Sequence, residues 1–206
     1  MMNGDNGFFK WSDPEVDKIE DYTLLPSWWS RGFEYPWAFG YADEDQIVAD
    51  MGCGWMFRPF KDVLAEKCLF VYAVDANEKL HELERADNMA FVIADITKKI
   101  FIIQDGQLDR VFCISVLEDL NEKVAPALQE FARVLKPDGL IVLTFDVWYD
   151  TGRPIGMYPG MNLDQFWGYV EAAGLKPVGE ISEDKTGAVN HVEFNLACYH
   201  CVLEKV

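Results

Sequence analysis

From position 46 onward, short runs of β-branched and aromatic residues alternate with stretches in which apolar side chains recur every three to four positions. That alternation predicts βαβ units, and so a doubly wound α/β fold with a mostly parallel sheet and helices on both faces. The runs 46–50, 69–75, 90–95, 109–115 and 140–146 read as strands, and each ends on a polar residue. Because open parallel sheets bind ligands outside the carboxyl ends of their strands, those polar ends mark the edge where chemistry is expected. Between the strands, 59–67, 78–86 and 122–135 read as helices, the last with Val124, Leu128, Phe131 and Leu135 on one stripe. Lys136-Pro137-Asp138-Gly139 stops that helix and turns into the next strand. A further helix at 162–173 has Asn162 as N-cap and Gly174 just past its end. The apolar runs 176–181 and 193–203 bring the strands to seven.

Residues 1–45 break this rhythm. Trp28, Trp29, Phe33, Tyr35, Trp37, Phe39 and Tyr41 crowd into a segment with little periodicity. They are expected either to cover a face of the sheet or to form a cap or lid that walls the ligand edge, since aromatic side chains make rigid, water-excluding surfaces. On either reading 1–45 is expected to be an appendage, and 46–206 a single globular unit that already holds all seven strands.

Composition narrows the partners. The chain of 206 residues carries 35 acidic against 18 basic side chains, a formal charge of −17. Such a field repels phosphate backbones and anionic head groups, which argues against nucleic acid and membrane surfaces and favours a neutral or cationic small molecule. The polar, acidic N-terminus has no basic stretch followed by an apolar one, and no apolar run approaches bilayer-spanning length, so a soluble cytoplasmic protein is expected. Five cysteines scattered through predicted strands and one turn suggest no disulfide framework. Cys198 and Cys201 form a CxxC, but in a strand they point to opposite faces, and no metal site is expected there.

The chemistry concentrates at Ile47-Val48-Ala49-Asp50-Met51-Gly52-Cys53-Gly54, a strand that runs into a glycine turn ahead of a helix. Glycine there removes the Cβ and lets a ligand lie against the backbone. Asp75 ends the second strand, 25 residues after Asp50, where a carboxylate can accept hydrogen bonds from both hydroxyls of a ribose. Asp95 ends the third strand, within reach of an adenine amino group.

With these residues the chain resembles the class I S-adenosylmethionine-dependent methyltransferases, and small-molecule methyltransferases in particular, over essentially all of 46–206. The resemblance assigns Asp50-Met51-Gly52-Cys53-Gly54 to the methionine part of the cofactor, Asp75 and Ala76 to its ribose, and Asp95-Ile96 to its adenine. Leu108 to Phe112 resembles the family's fourth strand, Ser115-Val116-Leu117-Glu118-Asp119-Leu120 the segment that passes beneath the cofactor, and Leu135 to Gly139 the turn before strand five. It implies a Rossmann-like sheet with an antiparallel seventh strand, and S-adenosylmethionine as cofactor. Glu34-Tyr35-Pro36-Trp37 is similar to the segment that leads into the fold in small-molecule members. Two departures stand out: Met56 replaces a third glycine found in many members, and Asp119 stands where many have histidine.

Methyl transfer is an in-line displacement that depends mainly on alignment within a dry pocket. A base is needed only for a hydroxyl or protonated amine; oxygen, nitrogen, carbon and sulfur acceptors all remain open, as does the oligomeric state. The loops after strands four and five and between six and seven select Asp146, Tyr149 and His191 as catalytic candidates, with His191 foremost because imidazole titrates near neutrality. Trp29, Arg31, Tyr35, Trp37 and Tyr158 are the candidate lid and acceptor-lining residues, Arg31 as partner for a carboxylate. His81 and His200 are expected to be structural. Two alternatives remain: a cofactor-binding subunit without catalysis, and a dinucleotide-dependent oxidoreductase. The latter normally requires glycine at position 57, which is Phe57.

Overall fold

The computed structural model describes residues 6–56, 59–150 and 159–206. One sheet organises the chain. Its strands are β1 (Gly7–Phe8), β4 (Ile47–Met51), β5 (Phe70–Asp75), β6 (Met89–Ile93), β7 (Leu108–Ile114), β8 (Leu135–Trp148), β9 (Leu175–Pro177), β10 (Asn190–His191) and β11 (Leu196–Lys205). The main path runs β1-β11-β8-β7-β4-β5-β6, and β9 and β10 also pair with β11. Strands β4 to β8 are mutually parallel and β11 runs antiparallel to β8. The seven expected strands are therefore present with the expected direction of the last, and two short ones, β1 and β10, join them. A small hairpin of β2 (Lys18–Ile19) and β3 (Tyr22–Thr23) lies outside this sheet.

Among the described residues, four helices cover the two faces: α1 (Arg31–Phe39), α2 (Phe60–Lys67), α3 (Val124–Val134) and α4 (Leu163–Ala172). Alternation along each strand sends Ala49, Val111, Leu143 and Phe145 to one core with Leu128 and Phe131 of α3 and Phe166 of α4. The intervening Val48, Phe112, Val142 and Cys198 meet Phe33, Tyr35 and Trp37 of α1 and Phe60 and Leu64 of α2 in a second core. The N-terminal aromatics thus build one layer of the molecule. Phe9 packs on Phe33 and Trp37, and Tyr35 stacks on Phe60 with centroids 5.0 Å apart.

Several elements are shorter than the periodicity suggests. The stretch predicted as a helix over 78–86 is a 3-10 turn, Glu78–Glu82, capped by the Asn77 side chain. Leu80 is its one buried residue, and a single apolar anchor does not sustain an α-helix. The strand predicted at 176–181 stops at Pro177, and the one predicted at 193–203 begins at Leu196 after a 3-10 turn that ends on left-handed Asn195. No helix among the described residues is long and apolar enough to cross a membrane.

Candidate active site

Strand order reverses between β4 and β7, where connections leave in opposite directions and open a crevice at the carboxyl edge. On the β4 side, Gly52 and Gly54 take positive φ of 83° and 72°. The N–H groups of Gly52 and Cys53 both donate to the Val74 carbonyl, at 2.8 and 3.0 Å, which tie the turn to β5. A Cβ on Gly52 would come within 2.6 Å of the Val116 side chain, so the position is closed to other residues by both backbone and space. Gly54 N–H donates to Asp75 Oδ2 at 2.8 Å and Asn77 N–H to Oδ1 at 2.9 Å. These bonds orient the Asp75 carboxylate and leave lone pairs on each oxygen for further donors.

The other residues assigned to the cofactor differ in what they offer. Asp50 and Cys53 are buried, and Cys53 turns its thiol inward, where burial and then the Asp50 charge raise its pKa. Ala76 is exposed beside Asp75. Asp95 accepts from the Thr97 N–H and hydroxyl at 3.0 and 2.6 Å, bonds that hold its carboxyl down at about 2. Ile96 is buried in the first core. Val116 closes over Gly52, whereas the Ser115 hydroxyl is already engaged elsewhere.

That engagement is the centre of the second half of the site. Helix α1 lies across β7 and β8 with its first turn at the carboxyl edge, and the buried Glu34 carboxylate is the hub there. Glu34 Oε1 accepts from Ser115 Oγ (2.6 Å), Thr144 Oγ1 (2.6 Å) and Cys198 Sγ (3.3 Å), and Oε2 from Ser30 Oγ (2.9 Å) and the Arg31 guanidinium. Arg31 also donates to Ser115 Oγ at 2.7 Å. Burial alone would raise the Glu34 pKa, but Arg31, Ser115 and Thr144 together hold it below its usual value. Ser115 adopts a left-handed φ of 48°, a costly conformation for serine, fixed by its N–H bond to the Thr144 carbonyl at 2.8 Å and by its hydroxyl contacts.

Around this hub stand two further carboxylates. Glu118 follows Ser115 by three residues and is almost fully buried; Asp146 lies near the end of β8, opposite Cys198 on β11. Burial, and next the Asp146 charge, push Glu118 well above the carboxylate range, and burial followed by the Glu34 charge pushes Asp146 up to about 7. Among the described residues, Glu118 Oε2 and Asp146 Oδ1 are buried without a hydrogen-bond partner, as is His191 Nδ1. His191 stacks on Phe194 at 4.0 Å and meets Trp29 edge-on at 5.8 Å.

Asp146, His191, Arg31 and Trp29 thus gather at one edge. Tyr149 packs against the opposite core, Tyr35 and Trp37 lie deeper in the second core, with Trp37 4.7 Å from the His200 ring, and Tyr158 falls outside the described residues. His200 is half-buried, and desolvation pushes its pKa down to about 4. Trp28 and Trp29 also line a cavity of about 470 Å³ on the outer side of α1, together with Leu24 and Gly32. The sequence placed Glu34 and Glu118 within segments that resemble the family's and singled out neither of them, nor Thr144, for a role of its own. Glu34 carried one signal, a charge set between Phe33 and Tyr35 in an aromatic run.

Residues 49–143 match the family described as a methyltransferase domain. No curated protein matches the chain by sequence. Among solved structures, the [4+2]-cyclase SpnF superposes with a TM-score of 0.68 at 13% identity, covering 97% of this chain and 87% of that one. An S-adenosylmethionine-dependent methyltransferase from Aquifex aeolicus gives 0.62 at 20%, covering 89% and 100%. The 1,6-didemethyltoxoflavin-N1-methyltransferase of Burkholderia thailandensis, solved with 1,6-didemethyltoxoflavin and S-adenosylhomocysteine, gives 0.61 at 17%, covering 84% and 76%. At these identities the structural likeness is one of fold. The domain match, which spans the glycine turn, Asp75, Asp95 and the segment after β7, carries the closer relation, and the cofactor that goes with it is S-adenosylmethionine. Over residues 49–143 the chain is thus similar to a methyltransferase domain, in the fold that the S-adenosylmethionine-dependent methyltransferases among these neighbours share.

Proposed function

We propose that this protein transfers a methyl group from S-adenosylmethionine to a small-molecule acceptor by in-line displacement at the carboxyl edge of β4, β7 and β8. The observation that carries the reading is the turn at Gly52 and Gly54, both left-handed, with the Gly54 N–H fastened to an Asp75 carboxylate that keeps free lone pairs. Gly52 and Gly54 would give their backbone to the methionine part, Asp75 would accept from the ribose hydroxyls, and Asp95-Ile96 would meet the adenine. The acceptor would lie on the α1 side, above Arg31, Asp146 and His191. The formal charge of −17 supports a neutral or cationic acceptor over a nucleic acid. The small-molecule substrate of the Burkholderia thailandensis neighbour agrees with this on fold alone.

The role of this chain's residues is to bind, align and exclude water, which is where much of the acceleration of such a displacement arises. Calorimetry with S-adenosylmethionine and S-adenosylhomocysteine, with reduced nicotinamide dinucleotide as comparator, tests the reading. Binding of both adenosyl compounds and not the dinucleotide is expected. The reverse pattern would establish an oxidoreductase instead.

A further inference from the structure

We infer that the acceptor is an amine that arrives as its ammonium ion, received between Glu118 and Asp146, with Asp146 taking the proton that frees the nitrogen to attack. The inference rests on the methyltransferase reading above and names the substrate class and a binding residue, Glu118, for that same edge.

The first support is the distribution of donors. Of the side-chain donors at this edge, Ser30, Arg31, Ser115, Thr144 and Cys198 all converge on Glu34, which is thereby satisfied. Glu118 Oε2 and Asp146 Oδ1 are also buried and receive none from the described residues. Buried polar atoms in native proteins are paired, and a pair of orphaned acceptors on neighbouring carboxylates marks the place of a donor that comes from outside the chain. An ammonium group carries three donors and a positive charge, and so can serve both oxygens at once. A hydroxyl has one donor and leaves an oxygen unpaired; a carboxylate or phosphate would be repelled.

The second support is charge. Among the described residues, three carboxylates, Glu34, Glu118 and Asp146, share this dry region with one cation, Arg31, which is bound to Glu34. The groups that face Asp146 are Arg31 and Glu34 from α1, Glu118 and Asp119 from the segment after β7, and Cys198 across the sheet on β11. An entering cation relieves the excess of like charge, whereas a neutral acceptor does not. Without it the pair holds a proton, in keeping with the upward displacement of both pKa values. Location agrees as well. Val116, two residues before Glu118, touches Gly52 of the cofactor turn, so the pair borders the methionine end of the cradle.

The step balances without a further reactant. The ammonium N–H gives its proton to the Asp146 carboxylate. The nitrogen lone pair then forms a bond to the methyl carbon of the sulfonium donor as the sulfur–carbon bond breaks, and that electron pair stays on sulfur. A methylammonium and a neutral thioether result, and the proton on Asp146 passes to solvent.

Calorimetry on protein saturated with S-adenosylhomocysteine tests this with benzylamine, phenethylamine and putrescine against benzyl alcohol, 2-phenylethanol, 1,4-butanediol and phenylacetate. Amines are expected to bind and the matched alcohols and acid not to. Amine affinity should fall about tenfold per pH unit below about 7, as the carboxylate pair takes up its proton. Glu118→Gln and Asp146→Asn should each weaken amine binding at least tenfold with S-adenosylhomocysteine affinity unchanged. Alcohols that bind as tightly as amines, no amine binding by the saturated protein, or an amine affinity indifferent to pH would each overturn the inference. The pH series uses the unaltered protein and so does not depend on the folding of the variants. Failure of S-adenosylhomocysteine itself to bind would instead remove the reading beneath it.

Discussion

Gly52 is held in place by two independent constraints, a left-handed φ of 83° and the Val116 side chain, which would lie 2.6 Å from any Cβ. Alanine meets both at once. Positive φ costs a residue with a Cβ on the order of 1–2 kcal/mol, and the methyl would also force Val116 away from the crevice. Gly52→Ala is therefore expected to weaken S-adenosylhomocysteine binding by tenfold or more in calorimetry while far-ultraviolet circular dichroism stays native. An unchanged dissociation constant would show that the cofactor does not rest on this turn. At this scale the sequence is most readable where chemistry fixes a residue type at a strand end. Gly52, Gly54 and Asp75 could be named because glycine and a carboxylate at those positions have few other reasons to be there. Glu118 could be given no role of its own, since its significance comes from the proximity of Asp146, 28 positions away in the chain and on β8, and no local pattern encodes that distance.

Helix α1 is the element whose function was hardest to read from sequence and whose packing explains most. Its nine residues, about two and a half turns, include Pro36, and its aromatics fall at every second position, so no clean helical stripe shows in the sequence. What places the helix is the Glu34 carboxylate, which binds it to β7 through Ser115, to β8 through Thr144 and to β11 through Cys198. Removing one partner of a buried ion pair costs about 3–5 kcal/mol, because the remaining charge stays desolvated. Glu34→Gln leaves Arg31 in that position, and urea unfolding should show a stability loss of about 3 kcal/mol at neutral pH with an unchanged m-value. The sign with pH follows from linkage. The folded-state pKa of Glu34 lies below its ordinary 4.5, so its stabilisation is complete above that value and is lost as pH falls through the folded-state pKa. The deficit of the variant should accordingly shrink in acid. A loss under about 0.5 kcal/mol at neutral pH would mean that the network is incidental to the seating of α1. Elements with strong local signals behaved differently. Helix α3 and strands β4 to β7 fall within two residues of their predicted spans because each buries a face that its own periodicity announces. Strand β8, by contrast, begins at Leu135 and takes in the predicted turn 136–139, where Leu135 is fully buried and pairs with Leu108. The stretch after β5 lacks a second buried anchor beyond Leu80 and stays a single turn.

For the molecule as a whole, the open question is whether residues 1–45 are an appendage to a sheet that folds without them. Strands β4 to β9 and β11 do come from later in the chain, as the alternation predicts. Yet the outer edge of β11 is paired by β1, with Phe8 opposite Tyr199, and Asn6 accepts from the Val202 N–H at 2.8 Å. Phe8, Phe9, Ile19, Leu24 and Phe33 are all buried, the first in one core and the others in the second. Full burial of a large apolar side chain is worth about 1.5–3 kcal/mol, so these five represent roughly 8–15 kcal/mol, the same size as the entire stability of an ordinary domain at about 5–15. Deletion of residues 1–33 would also take away Arg31 and leave Glu34 as an uncompensated buried charge. The expected outcome is a protein that does not fold: low soluble yield, no cooperative thermal transition and no S-adenosylhomocysteine binding. A soluble monomeric fragment with a cooperative transition and native cofactor affinity, but without acceptor binding, would establish the opposite, a detachable lid whose aromatic residues serve the acceptor site and not the core.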